Sequence, residues 1–380
     1  MDLSNCYLDK LGESEAAKLK ELRALLPAIV AKSRELSSEA AAIPSGDQTL
    51  WGVKIEEQSD ASDIVLLKFL RAEELNVAKA SDRITQTLVF RADCKIDEIS
   101  KADLPAQFLG NDFITGLDPE GRPVMISRFG NMDIDAVFSD LEAFVRYRAK
   151  IMENAIALLK FEKGSAEDLC QVHDYSGVMS SMYKTEVKQG VSAISKVFSE
   201  HYPEFKGKTI FVNFPAVFSK PFQVFAALLP ERTRKKFVIL GQEDHAALFE
   251  MVPPELVPEA LGGLFSEPKS KIRSQGRVVL PRARESLDVT AIELPGPSKL
   301  LWELRVCTME VSYEVFFVPA NGTEEQVVAK SEPGKPLKAE DGIISGEWSA
   351  PSAGTLNFRF RNDAAWFKRR VCVCRADVAE

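Results

Sequence analysis

Phe211-Val-Asn-Phe-Pro-Ala-Val-Phe-Ser-Lys-Pro-Phe-Gln-Val-Phe-Ala-Ala-Leu-Leu-Pro230 runs directly into Glu231-Arg-Thr-Arg-Lys-Lys236 and Phe237-Val-Ile-Leu240, and this stretch decides the fold. Its two ends, Thr209 to Phe214 and Phe237 to Leu240, are rich in β-branched and aromatic residues and predict strands. Between them apolar residues fall on nearly every side of a helix, more than one buried stripe requires. Such a helix is either fully buried, or it covers an apolar cavity on one face and meets a membrane with the other. The positive charges of Arg232, Arg234, Lys235 and Lys236 at the edge of this apolar layer suit an anionic headgroup, and equally a solvated face.

Working outward, Val124 to Ser127 and Leu169 to His173 are further strand candidates. They alternate with a helix from Ser139, opened by Ser139-Asp-Leu-Glu142, and another through Val187, Val191, Ile194 and Phe198. Residues 104–265 therefore predict a parallel or mixed α/β domain. Ahead of it, Ser62 and Asn76 are candidate caps of two helices, which make a hairpin over 56–103 whose role is packing. Residues 1–55 form a mobile or helical lead-in, with a stripe at Leu19, Leu22 and Leu26 interrupted by Pro27. Lys269, Lys271, Arg273, Arg277, Arg282 and Arg284 mark 266–287 as an exposed basic linker. From 288 to 380 the period changes to two, as in Leu300, Trp302, Leu304 and Val306, and predicts an antiparallel β-sandwich with a turn at Asn321-Gly322.

The chain has 380 residues, and its 48 basic against 56 acidic side chains argue against nucleic acid as a partner. Six scattered cysteines and an N-terminus without an apolar stretch fit a reducing, cytoplasmic setting. No run approaches the ~18 apolar residues needed to cross a bilayer, so the expected membrane contact is peripheral. With three histidines and no Gly-x-Ser-x-Gly, Walker or Cys-x-x-Cys pattern, no catalytic residues are expected. Cys372-x-Cys374 has no second ligand pair, and no metal is expected. Among the basic residues near the C-terminus, Lys368, Arg369 and Arg370 are the candidates for docking on an anionic membrane; a scattered solvated face is the alternative.

Four segments together resemble the Sec14-like (CRAL-TRIO) lipid-binding family: Leu66-Leu-Lys-Phe-Leu-Arg-Ala72, Glu120-Gly-Arg-Pro-Val124, Tyr202-Pro-Glu204 with Phe211-Val-Asn213 and Pro215, and Arg232 to Leu240. Pro258 and Leu261-Gly-Gly263 close the module in the same order. Trp51-Gly-Val53 and the terminal β-domain, with Trp302-Glu-Leu304 and Phe317-Val-Pro319, are similar to the Sec14-plus-GOLD arrangement of plant patellins. The resemblance implies an α/β CRAL-TRIO domain with a helical N-terminal module, followed by an all-β GOLD-type sandwich. It further implies a phospholipid ligand, a gate at Pro215 to about Leu229 that carries Phe218, Phe222, Phe225 and Leu228, and a headgroup site at Glu204, Thr233 and Lys236. In this chemistry the lysine neutralises phosphate, the threonine donates from its hydroxyl, and the glutamate accepts from inositol hydroxyls or orients the lysine.

The chain departs from the family pattern at Glu73 and Glu74, where basic residues often stand, and at Leu169 and Gln171, which lack the hydroxyls used for choline lipids. The leading expectation is a non-enzymatic phosphatidylinositol or phosphoinositide transfer protein in lipid signalling or trafficking. A fungal branch of the family resembles the His173-Asp-Tyr175 stretch and binds haem, which makes His173 and Tyr175 alternative iron ligands. A trafficking adaptor recruiting a protein through the GOLD domain is the third expectation.

Overall fold

Apolar residues three and four apart bury one face of each N-terminal helix in a shared core. The structure, a computed structural model, describes residues 7–44, 46–178, 184–214, 234–241, 244–266, 269–322, 324–363 and 368–379. Helices α1 (Glu13–Ala24), α2 (Leu26–Leu36) and α3 (Ser38–Ala42) place Leu19, Leu22, Leu26, Ile29 and Val30 against residues of α4 (Asp60–Ala72) and α5 (Val77–Asp93). The first 55 residues are thus largely helical and packed on the following module. Pro27 breaks nothing, because it lies in the first turn of α2 where its missing N–H has no partner to lose. Between α3 and α4 a short hairpin, β1 (Thr49–Leu50) and β2 (Val53–Lys54), turns at Trp51, whose ring packs on Phe69 and Phe205. The cap of α4 is Ser59 rather than Ser62; the two exchange side-chain and backbone hydrogen bonds, so Ser62 is the interior half of the box. Asn76 caps α5 as expected, accepting from the amide of Lys79 at 3.0 Å.

A five-stranded sheet follows in the order β3-β4-β5-β6-β7, from β3 (Asp112–Leu117), β4 (Pro123–Arg128), β5 (Leu169–Asp174), β6 (Lys206–Val212) and β7 (Phe237–Leu240). β3 pairs antiparallel with β4, whereas β4–β5 and β5–β6 are parallel. The chain crosses from β4 to β5 through α6 (Ile134–Val137) and α7 (Leu141–Ile156), and from β5 to β6 through α8 (Thr185–His201). Asp140, not Ser139, caps α7, because its carboxylate reaches the amide of Ala143. Val191 faces solvent at 48% exposure while Val187, Ile194 and Phe198 are buried, so the apolar stripe of α8 omits it. Strand pairing puts Asp112, Ser127, His173 and Phe211 in one row across the sheet.

The chain divides into two compact units, residues 1–239 and 240–380. In the second, α9 (His245–Phe249) precedes strands β8 (Arg277–Val279), β9 (Ser286–Leu294), β10 (Ser298–Val306), β11 (Glu310–Pro319), β12 (Gln326–Lys330), β13 (Leu337–Lys338), β14 (Ile344–Ala350), β15 (Gly354–Arg361) and β16 (Cys372–Val378). They form two antiparallel sheets, β14-β10-β16-β8 and β12-β11-β15-β9, with β13 paired to β11. Trp302, Leu304, Cys372 and Cys374 from one sheet meet Phe317, Phe358 and Phe360 from the other in a single core. The two cysteines are therefore interior packing residues.

The stretch read as an exposed basic linker is in part structured. β8 pairs with β16, Ile272 is buried, and Ser270 donates to Glu303 at 2.9 Å. Its basic side chains alternate outward along an extended segment, which hides the pairing from a charge count. Residues 254–265, which the sequence assigns to the α/β domain, make their hydrogen bonds in this second unit: Arg305 donates to the carbonyls of Glu259 and Gly263. Gly263 is required there, since a Cβ would lie 1.9 Å from the carbonyl oxygen of Val257. No helix among the described residues is long and apolar enough to cross a membrane.

Candidate functional site

Glu204 sits in the turn between α8 and β6, and Lys236 immediately precedes β7. The Lys236 carbonyl accepts from the amide of Thr209, so pairing with β6 fixes its position beside that turn. Glu204 Oε2 lies 3.5 Å from Lys236 Nζ, and the same ammonium donates to the carbonyl of Lys206 at 3.0 Å. The two side chains are 17% and 28% exposed, so both reach solvent. A lysine ammonium carries three donors and two are engaged in these contacts, which leaves capacity for an anionic oxygen. Two of the three residues assigned to the headgroup site are thus brought together. Thr233 lies outside the described residues, as do Phe218, Phe222, Phe225 and Leu228 of the gate.

Behind this pair lies a layer of buried charge that the sequence reading treated as plain packing. Lys68 and Arg71, three residues apart on one side of α4, are both almost wholly buried. Lys68 Nζ lies over the ring of Phe205 and donates to the backbone carbonyls of Glu167 and Glu204, the latter at 3.3 Å. Arg71 donates to the Glu167 carboxylate and stacks its guanidinium over Tyr7. Burial, aided by the Arg71 charge, pushes the Lys68 amine down to about 7. Burial also raises the neighbouring Asp168 carboxyl above its usual range. Gly207 makes room for that carboxylate, because a Cβ there would come within 2.2 Å of Asp168 Oδ1. The available sequence signal was two cations inside an otherwise apolar run, Ile64 to Ala72.

His173 and Tyr175 belong to the other end of the strands. Phe211 lies five residues beyond Lys206 on β6, roughly 17 Å along the strand at about 3.3 Å per residue. The His173 ring stacks on Phe129 with centroids 5.4 Å apart and lies 5.5 Å from Phe211. Tyr175 contacts Phe129, Phe211 and Phe214. Burial, with the Arg148 charge nearby, lowers the His173 imidazole to about 3, so it is neutral near pH 7, and its Nδ1 has no hydrogen-bond partner among the described residues. Burial raises the Tyr175 phenol to about 12. Leu169 and Gln171 are buried on the same strand. Arg148, Tyr147 and Ser127 all donate to Asp112, a closed polar knot in this layer. Among the described residues no group of three His, Cys, Asp or Glu side chains could hold a metal ion.

The assigned docking patch is smaller than its sequence suggests. Lys368 and Arg369 are exposed, but Arg370 is only 5% exposed, and its backbone amide donates to Pro281. Arg359 is paired with Asp288, Glu314 and Glu325, Arg361 with Glu314, and Arg375 with Glu303. Much of the local positive charge is therefore already neutralised.

Family models for the CRAL/TRIO domain and the CRAL/TRIO N-terminal domain match residues 109–263 and 18–86. Patellin-6 of Arabidopsis thaliana is 29% identical over 362 residues, covering 91% of this chain and 86% of that protein. Patellin-2 of the same plant is also 29% identical, but this chain spans only 50% of its length. A phosphatidylinositol transfer protein, sfh5 of Aspergillus fumigatus, is 30% identical over 232 residues, which is 56% of this chain and 55% of that one. The crystal structure of Sfh5 superposes with a TM-score of 0.55 at 23% identity over 64% of this chain and 85% of that chain, a likeness of fold.

Proposed function

We propose that this chain, which belongs to the CRAL/TRIO family, is a non-enzymatic phospholipid-binding and transfer protein that works at membrane surfaces and selects an inositol headgroup. The observation that carries this reading is the solvent-reaching Glu204–Lys236 pair at the start of β6 and β7. A phosphate placed on Lys236 gains a charge-assisted hydrogen bond, while Glu204 accepts from ring hydroxyls. Support for a lipid comes from the relatives, one of which is named a phosphatidylinositol transfer protein. Extraction requires no bond to be made or broken. Burying acyl chains returns ~0.8 kcal/mol per methylene, which balances their removal from the bilayer when the cavity is apolar.

The test is mass spectrometry of lipid retained through purification, followed by transfer between vesicles. Phosphatidylinositol should co-purify, and Lys236→Ala and Glu204→Lys should each lower its transfer ten- to a hundredfold, the equivalent of ~1.5–3 kcal/mol per charged hydrogen bond. Unchanged transfer in both variants would remove the headgroup assignment. The Nδ1 of His173, unpartnered among the described residues and set in an aromatic cradle, supports a second reading, haem ligation, in which His173 or Tyr175 would hold the iron. A Soret band in the purified protein would favour it; a colourless sample carrying phospholipid would rule it out.

A further inference from the structure

Glu204 has a φ of +56°, a left-handed conformation disfavoured for any residue with a Cβ. Something must hold it there. Its carbonyl oxygen is the acceptor of Lys68 Nζ, whose other acceptor is the carbonyl of Glu167, one residue before Asp168. Lys68 comes from α4 in the N-terminal helical module, whereas Glu204 and Lys236 belong to the sheet. One buried side chain thus ties a helix of the first module to the turn that presents the candidate headgroup carboxylate.

We propose that Lys68 is a positioning residue for the headgroup site, holding the Glu204 peptide in its left-handed conformation so that the carboxylate meets Lys236. The surroundings leave that turn little freedom. The Asp168 carboxylate occupies the space beside Gly207, so the start of β6 is bounded on that side. The ring of Phe205 lies under the ammonium at 4.2 Å from its centroid, which fixes the neighbouring residue as well. Arg71 takes the Glu167 carboxylate at 2.5 Å, while Lys68 stands 4.0 Å from it, so the lysine's close donations go to backbone carbonyls. Without a donor at Lys68, the Glu204 carbonyl loses its tether and the residue relaxes towards negative φ. Its side chain then turns away from Lys236. The inference rests on the headgroup reading of Glu204 and Lys236 and assigns it a third member, one that never touches lipid.

The test uses the full chain with Lys68→Met, which matches the length without a donor, and Lys68→Arg, which keeps buried N–H groups. Phosphatidylinositol transfer between vesicles should fall at least tenfold in Lys68→Met and recover to within about threefold in Lys68→Arg. In a Lys236→Ala background, Lys68→Met should change transfer less than twofold, because both act on the same contact. Hydrogen exchange should quicken at the amides of Glu204 to Lys206 and stay unchanged along α5. Unchanged transfer in Lys68→Met, or a loss that multiplies fully with that of Lys236→Ala, would overturn the proposal and leave Lys68 a packing residue. If the wild type carries no phospholipid, the lipid reading falls by itself; exchange at Glu204 to Lys206 still decides Lys68, and unaltered exchange sinks it. Should Lys68→Met fail to fold, Lys68→Leu, which also lacks a donor, replaces it under the same criteria.

Discussion

Arg375 and Glu303 form a buried ion pair across neighbouring strands β16 and β10, with Nε and Oε1 2.5 Å apart and both side chains no more than 6% exposed. Removing one partner of such a pair leaves the other charge buried and uncompensated, a cost of about 3–5 kcal/mol. Arg375→Met should accordingly lower the stability of the β-sandwich by that amount in urea unfolding, with Ser270 retaining its bond to Glu303. A change below about 1 kcal/mol would mean that water reaches the pair. The same physics separates what single residues disclose in sequence from what they hide. Glu204 and Lys236 are 32 positions apart, and only resemblance to a family joins them before the sheet does. Lys68 and Arg71 were passed over because cations inside an apolar helical run look like residues whose stems pack while their ends reach water. Here the ends stay inside, because Glu167 and the backbone of Glu204 supply their partners.

At the scale of the element, period and caps were largely legible. The strands around Val124, Leu169, Thr209 and Phe237 and the period-two strands after Leu300 agree with the structure, while cap positions shifted by one to three residues at Ser59 and Asp140. β3 was missed: Asp112 to Leu117 carries little alternation, and its place comes from antiparallel pairing with β4. The segment from Pro215 to Leu229 lies outside the described residues, and its gate role remains a proposal from composition. Phe222→Asp with Phe225→Asp should slow lipid exchange several-fold while far-ultraviolet circular dichroism of the sheet is unchanged, since charge opposes insertion into a bilayer. An insoluble or unfolded double variant would make these phenylalanines ordinary core.

For the whole molecule, electrostatics give two expectations. With Arg370 buried, membrane docking through the C-terminal basic residues falls to Lys368 and Arg369, each contributing ~1 kcal/mol at an anionic surface. Lys368→Glu with Arg369→Glu should weaken co-sedimentation with phosphatidylserine vesicles about thirtyfold at low salt, and less at high salt. Binding indifferent to both changes would place docking on apolar residues. The second expectation concerns acid. His173 and His201 are lowered to about 3 and about 4, chiefly by burial. Because these folded-state values lie below the ordinary 6.5, the unfolded chain takes up protons first. The stability they supply is full above about pH 6.5 and is lost as pH falls toward 4, at about 1.4 kcal/mol per pH unit for each histidine. His173→Asn should be less sensitive than the wild type over pH 6.5 to 4.5 in urea unfolding; equal slopes would mean that His173 charges freely in the folded state.

Periodicity, caps and the change from helical to two-residue repeats determined the order of modules: helices, a mixed α/β sheet, then an antiparallel sandwich. These are local properties, written within a turn or a strand, so the sequence carries them directly. Which charges are neutralised was decided only by tertiary structure. Arg359 meets Asp288 across 71 positions, Lys68 meets Glu204 across 136, and Arg370 turns inward while Arg369 does not. A charge count has no distance in it, whereas Coulomb energy and desolvation depend on nothing else so strongly.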